Sequence, residues 1–139
     1  MLAVATLTRG IKRGLSVTWE LGKVLVPVYF IITVLKYTPI MEWIAEFMEP
    51  VMYMVGLPGE ASLPLVLGMF LNIYAAIGAI LPLAMSTKEI TIIAAMLLLA
   101  HSLPIESAVS KKAGAKVISL VLVRLIMAFL VGAGFNLVL

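Results

Sequence analysis

The chain has 139 residues, of which 63% are hydrophobic and 12% charged, with a net charge of +3 and no cysteine. Soluble domains are nearer half apolar and a quarter charged, so this composition needs a bilayer as its solvent. It excludes a disulfide framework, a thiolate metal site and a cysteine nucleophile, and it offers no basic-plus-aromatic surface for nucleic acid.

Residues 2–19 mix apolar positions with Arg9, Lys12 and Arg13, and Trp19 follows as an aromatic anchor. This predicts an amphipathic helix lying in the membrane interface over residues 1–19, ahead of a transmembrane domain over 20–139. No small-residue cleavage site follows the basic stretch, so it does not read as a secretory signal. Residues 21–38 form the first span, with Lys23 and Lys36 bracketing its apolar centre and Pro27 tolerated inside it.

Residues 40–55 place Glu42, Glu46 and Glu49 on one helical face, opposite Trp43, Ile44 and Phe47. Sixteen residues give about 24 Å of helix, short of a ~30 Å hydrocarbon core. The stretch is therefore an interfacial helix or the first arm of a re-entrant hairpin. Gly56-Leu57-Pro58-Gly59-Glu60 then breaks the chain. If that tip stands at mid-membrane, Glu60 is a site candidate; at the surface it is a carboxylate favoured by a helix N-terminus. Residues 61–84 resume an apolar run with Asn72 near its centre, where an amide must find a partner.

Ser86-Thr87-Lys88-Glu89 matches a capping box, so a new helix starts there and runs to about Leu99. It meets His101, Ser102, Pro104 and Glu106 within the stretch AHSLPIESAV. Two readings stand side by side. The helix ends at Pro104 and Glu106 reaches the headgroups, or the helix is discontinuous and its freed polar groups line a site at depth. A lone histidine is no metal signature. Ser102 is adjacent to His101, and helix neighbours do not face each other, so no nucleophile–base pair is visible and an enzyme is not expected. Lys111, Lys112 and Lys116 mark a membrane face, and residues 117–139 make a last span with Arg124 about two turns in.

The stretches GLPGEASLPLVLGMFLNIYAAI (56–77) and TKEITIIAAMLLLAHSLPIESAV (87–109) resemble the nucleoside-recognition, or Gate, domain. That domain occurs in concentrative nucleoside transporters, in the prokaryotic ferrous-iron transporter and in small stand-alone membrane proteins. The iron transporter carries Gly-Phe-Gly-Cys-Asn-Val-Pro-Ala at its first break. Here Gly68 to Ala75 take that place: Asn72 matches, while Leu71 replaces the cysteine and Tyr74 the proline. The second break, Cys-Ser-Ala-Arg-Leu-Pro, corresponds to Leu99 to Pro104, where Leu103 and Pro104 match and the cysteine is again apolar. Both thiols are absent, which argues against ferrous iron. Of the Gln-Thr-Glu at the nucleoside transporters' hairpin tip only the Glu, Glu60, matches.

The resemblance implies an all-α integral membrane fold with a re-entrant hairpin and discontinuous helices, half of an inverted-repeat transporter. It also implies breaks that face each other and form the translocation site. The expected binding residues are Glu60, Asn72, Tyr74, His101, Ser102 and Glu106, with no cofactor. One unit is half a transporter, so a homodimer that binds or translocates a small polar solute or ion, nucleoside-like or a divalent metal, is the leading expectation. A Gate module that assembles with another membrane protein without transporting is the alternative. Topology bears on this. If residues 40–55 cross fully, seven basic residues face two. If 40–71 is a re-entrant hairpin, as the resemblance favours, five face four; that near balance permits dual insertion and favours an antiparallel homodimer in the inner membrane.

Overall fold

A computed structural model describes the backbone of residues 2–139 and the side chains from residue 4 onward. Seven α-helices follow one another among these residues: α1 (Leu2–Lys36), α2 (Pro39–Tyr53), α3 (Ser62–Phe70), α4 (Ile73–Ile80), α5 (Thr87–Ala100), α6 (Leu103–Lys112) and α7 (Val117–Val138). Single 3-10 turns at Gly59–Ala61 and Leu81–Leu83 lead into α3 and out of α4. Three stretches are long and apolar enough to cross a membrane: Val4–Lys36, Thr87–Lys112 (α5 with α6) and Val117–Val138. The chain is a multi-pass, all-α membrane protein.

α5 is the central element. Its capping box forms as the sequence predicts: the Ser86 hydroxyl accepts from the Glu89 amide at 3.3 Å, and the Glu89 carboxylate accepts from the Ser86 amide at 2.6 Å. Ile92, Ile93, Met96 and Leu97 are its largest fully buried side chains, and Val55 and Pro64 are as completely enclosed. α7 runs antiparallel along it. Lys88 donates to the Asn136 carbonyl at 3.1 Å, and Arg124 donates to the Leu99 carbonyl at 2.7 Å. Between these two ties, a Cβ added at Gly132 would stand 2.8 Å from the Met96 sulfur.

Residues 61–84 do not make one helix. α3 has 9 residues and α4 has 8, about 12–14 Å each and too short to span. They fold back on each other, so that a Cβ on Gly68 would meet the Cβ of Ala76 at 3.0 Å. The turn of this hairpin is Leu71–Asn72. α4 returns alongside α1, where Gly78 packs on Leu25 and Val28, and Lys36 donates to the Pro82 carbonyl at 3.0 Å. The ends of α1 and α4 and the start of α5 therefore share one end of the bundle.

α2 stays at that same end. It begins two residues after α1 finishes, and it leads into Gly56, which packs against Asn136 in the last turn of α7. This decides between the alternatives for residues 40–55: they do not cross. The hairpin expected over 40–71 with its tip at 56–60 is likewise displaced. The Gly-Leu-Pro-Gly tip lies at the end of the bundle, and the hairpin that enters the bundle is α3–α4. The tip is tight because Gly59 packs on the α2 backbone; an added Cβ would sit 1.9 Å from the Ala45 carbonyl oxygen. The separate interfacial helix expected over 1–19 is continuous with the first span, since nothing near Glu20 caps or breaks α1.

The charges segregate with this topology. Arg9, Lys12, Arg13, Lys111, Lys112 and Lys116 lie toward one end, with no acidic residue among them. Lys36, Lys88, Glu42, Glu46, Glu49, Glu60 and Glu89 lie at the other. Lys23 is paired with Glu20 at 2.7 Å on α1, and Arg124 with Glu106 inside the bundle. Six cations against two is the one-sided partition expected for a single orientation, not the near balance of the 40–71 hairpin.

Candidate functional site at two facing helix breaks

Two interruptions meet inside the bundle. The first ends α5. Proline at 104 has no amide to give the Ala100 carbonyl, and its ring crowds that turn. His101 is extended (φ −78°, ψ 159°) and Ser102 is left-handed (φ 48°, ψ 37°), after which Pro104 is accommodated in the first turn of α6. The second interruption is the α3–α4 turn. It holds no proline; it is made by Asn72, extended at φ −166°, whose side-chain oxygen accepts from the Ala75 amide at 2.9 Å. Asparagine is among the best N-caps, so this residue restarts a helix in an apolar run. The interhelical amide bond weighed for Asn72 is replaced by a bond to its own helix, which leaves the side-chain NH2 for another acceptor.

The breaks are joined through Ser102. Its amide donates to the Gly68 carbonyl at 3.0 Å, and its hydroxyl donates to the Leu71 carbonyl at 3.3 Å. Gly68 permits this approach: a Cβ there would stand 2.6 Å from a Leu97 methyl. Backbone groups that neither short helix satisfies internally are thus satisfied across the pair, as irregular backbone inside a membrane protein requires.

A charged cluster stands beside the junction. The Glu106 carboxylate accepts from the Arg124 guanidinium through one oxygen, and His101 Nδ1 lies 3.2 Å from the other. Arg124 also bonds the Leu99 carbonyl, one of those freed where α5 stops. This arginine therefore ties α7 to both sides of the break between α5 and α6. Sequence reasoning noted it in the last span and did not place it in the site. The available signal was its depth, since an arginine two turns inside a span needs a carboxylate or carbonyl partner.

The structure brings Asn72, His101, Ser102 and Glu106 to this junction. Tyr74 is in the first turn of α4 beside Asn72, half exposed. Glu60 is apart: it belongs to the 3-10 turn at the acidic end, eight positions before Gly68, and its carboxylate has no hydrogen-bond or ion-pair partner among the described residues. No three of His, Cys, Asp or Glu among the described residues converge to hold a metal ion.

A family profile described as nucleoside recognition (Gate) matches residues 18–116, and this stretch contains both breaks. The chain belongs to the nucleoside-recognition (Gate) family. Among its relatives, it is 44% identical to the uncharacterized membrane protein YvoD of Bacillus subtilis (strain 168) over 129 residues, 93% of this chain and 41% of that protein. It is 37% identical to the inner membrane protein YjiG of Escherichia coli (strain K12) over 76 residues, 54% of this chain and 49% of that protein. The chain thus spans less than half the length of either relative. No solved structure matches it. Arg124 lies beyond the matched stretch, so the Gate unit and the last span meet at the site.

Proposed function

We propose that this Gate protein is one half of a membrane carrier for a small, uncharged polar solute of the nucleoside class, bound at the junction of its two helix breaks. The observation that carries the reading is Ser102 bridging to Gly68 and Leu71, which sets two broken helices against each other inside the bundle. Half-helix ends at depth are where membrane carriers place polar ligands. Asn72 offers its side-chain NH2, and His101 offers Nε2 while Nδ1 faces Glu106. Tyr74 supplies a ring and a hydroxyl. Such donors and acceptors suit a planar polar solute. The absence of a three-ligand cluster among the described residues favours it over a divalent metal. Carriage rather than catalysis is supported by Ser102, whose hydroxyl is directed at the Leu71 carbonyl and not at a base. Binding of a nucleoside panel to the purified protein in nanodiscs tests this. A nucleoside that stabilises the wild type and fails on folded N72A and H101A supports the reading. Equal response of all three to every nucleoside that binds sinks it.

The second half remains to be supplied. An antiparallel homodimer needs dual insertion, and the six-to-two partition of basic residues opposes that. The partition favours the alternative in which the opposing half is another membrane chain of the inner membrane. Cross-linking in intact cells separates the two: a same-chain product supports a homodimer, a heavier mixed product the partner.

A further inference from the structure

A groove of about 750 Å³ runs between α6 and the start of α7, from Pro104 beside the α5–α6 break toward the lysines at residues 111–116. It is built by the turn at residues 113–116, which lays the end of α6 beside the first turn of α7. Lys111 and Lys116 stand on its rim, Ser107 and Ser119 line it, and Pro104 and Ile118 contribute apolar wall. Neither lysine has an acidic partner among the described residues. The acidic side chain nearest in sequence, Glu106, is taken up by Arg124 and His101. Lys112 on α6 and Arg9, Lys12 and Arg13 on α1 add positive charge toward the same end.

We infer that this groove binds the headgroup of an anionic phospholipid, with an acyl chain along its apolar wall. The charge is complementary, and a lysine-rimmed cleft between membrane helices at the positively charged face is where acidic headgroups are retained. A free inorganic anion would use the lysines and leave the Pro104 and Ile118 wall empty. A lipid uses both, because the rim lies where spans leave the bilayer and the wall continues inward. The lysines that define the site take no part in the solute junction, so it does not depend on whether the chain carries anything.

The test is lipid retention. Purified protein in mild detergent is given equimolar phosphatidylglycerol and phosphatidylcholine, and bound lipid is counted by native mass spectrometry. The wild type is expected to hold phosphatidylglycerol at least about tenfold over phosphatidylcholine, since each lysine near a headgroup adds a severalfold preference. K111Q/K116Q should lose that preference. R9Q/R13Q, which removes the same charge from α1, should keep it. Equal loss in both double variants, or no preference in the wild type, overturns the site by reducing it to general surface attraction. Displacement of phosphatidylglycerol by equimolar inorganic phosphate overturns the lipid assignment. Unchanged helical circular dichroism in both variants confirms that they remain folded.

Discussion

The Ser102 amide lies 3.0 Å from the Gly68 carbonyl, across 34 positions of sequence, and joins the end of α5 to the α3–α4 hairpin. Ser102 holds a left-handed conformation to do so (φ 48°), which costs a non-glycine residue about 1 kcal/mol. S102G keeps the amide and relieves this strain but gives up the hydroxyl bond to Leu71. S102A gives up the hydroxyl with no relief. S102P removes the amide and forbids the backbone angle. The expected order of thermal stability is therefore S102G close to wild type, S102A lower by about 1 kcal/mol, and S102P lower by 3 kcal/mol or more. Tryptophan fluorescence melts, reporting from Trp19 and Trp43, check the order. A proline variant as stable as wild type would show that the two breaks are not coupled.

Arg124 and Glu106 are expected to be worth more together than apart. Removing either takes away the other's strongest opposite-charge partner within the bundle, at up to about 3 kcal/mol for a charge at membrane depth. R124L also frees the Leu99 carbonyl. R124L/E106L should recover part of the loss. A double-mutant cycle on unfolding in detergent should return a coupling of about 2 kcal/mol, and strict additivity would sink the pairing.

Gly59 tests the hairpin at the acidic end. Its hydrogen faces the backbone of Ala45, and a methyl would stand 1.9 Å from that carbonyl oxygen. The clash is with backbone, so no rotamer change relieves it. G59A should cost about 3 kcal/mol or more, the upper end for an overpacked core. G134A, where an added Cβ meets nothing within 4 Å, is the matched control. The comparison is made by yield and melting temperature, and equal behaviour of the two variants would show that the α2 packing is looser than described.

What the sequence disclosed is what local chemistry determines. The start of α5 is a capping box and its end a proline, and both are readable within four residues. The last span is a continuous apolar run. Asn72 was visible as an isolated amide, but cap and interhelical bond look alike without knowing that α3 and α4 fold back, which depends on Gly68 meeting Leu97 and Ala76. Arg124 and Glu106 are 18 residues apart, with the 113–116 turn between them, and no helical periodicity links such a pair. The placement of α2 was the largest difference. Its length excluded a comfortable crossing, but only the contact of Gly56 with Asn136 shows that both its ends lie at one end of the bundle. Glu60 followed it there and left the site.

Orientation is the prediction with the widest consequence. Basic residues near the ends of spans are retained in the cytoplasm, and here six lie toward one end against two at the other. The five acidic residues at the two-lysine end contribute little to that rule and do not offset it. The chain should therefore insert one way, with residues 111–116 inside and Glu42, Glu46 and Glu49 outside. Because the sequence has no cysteine, single cysteines at Ala115 and at Val138 can be labelled in intact cells with an impermeant maleimide. Val138 ends α7 at the acidic end and should react before permeabilisation; Ala115 should react only after it. Half-labelling of both positions would mean dual insertion. It would restore the antiparallel homodimer and remove the need for a second chain. One-sided labelling would rule out the antiparallel homodimer.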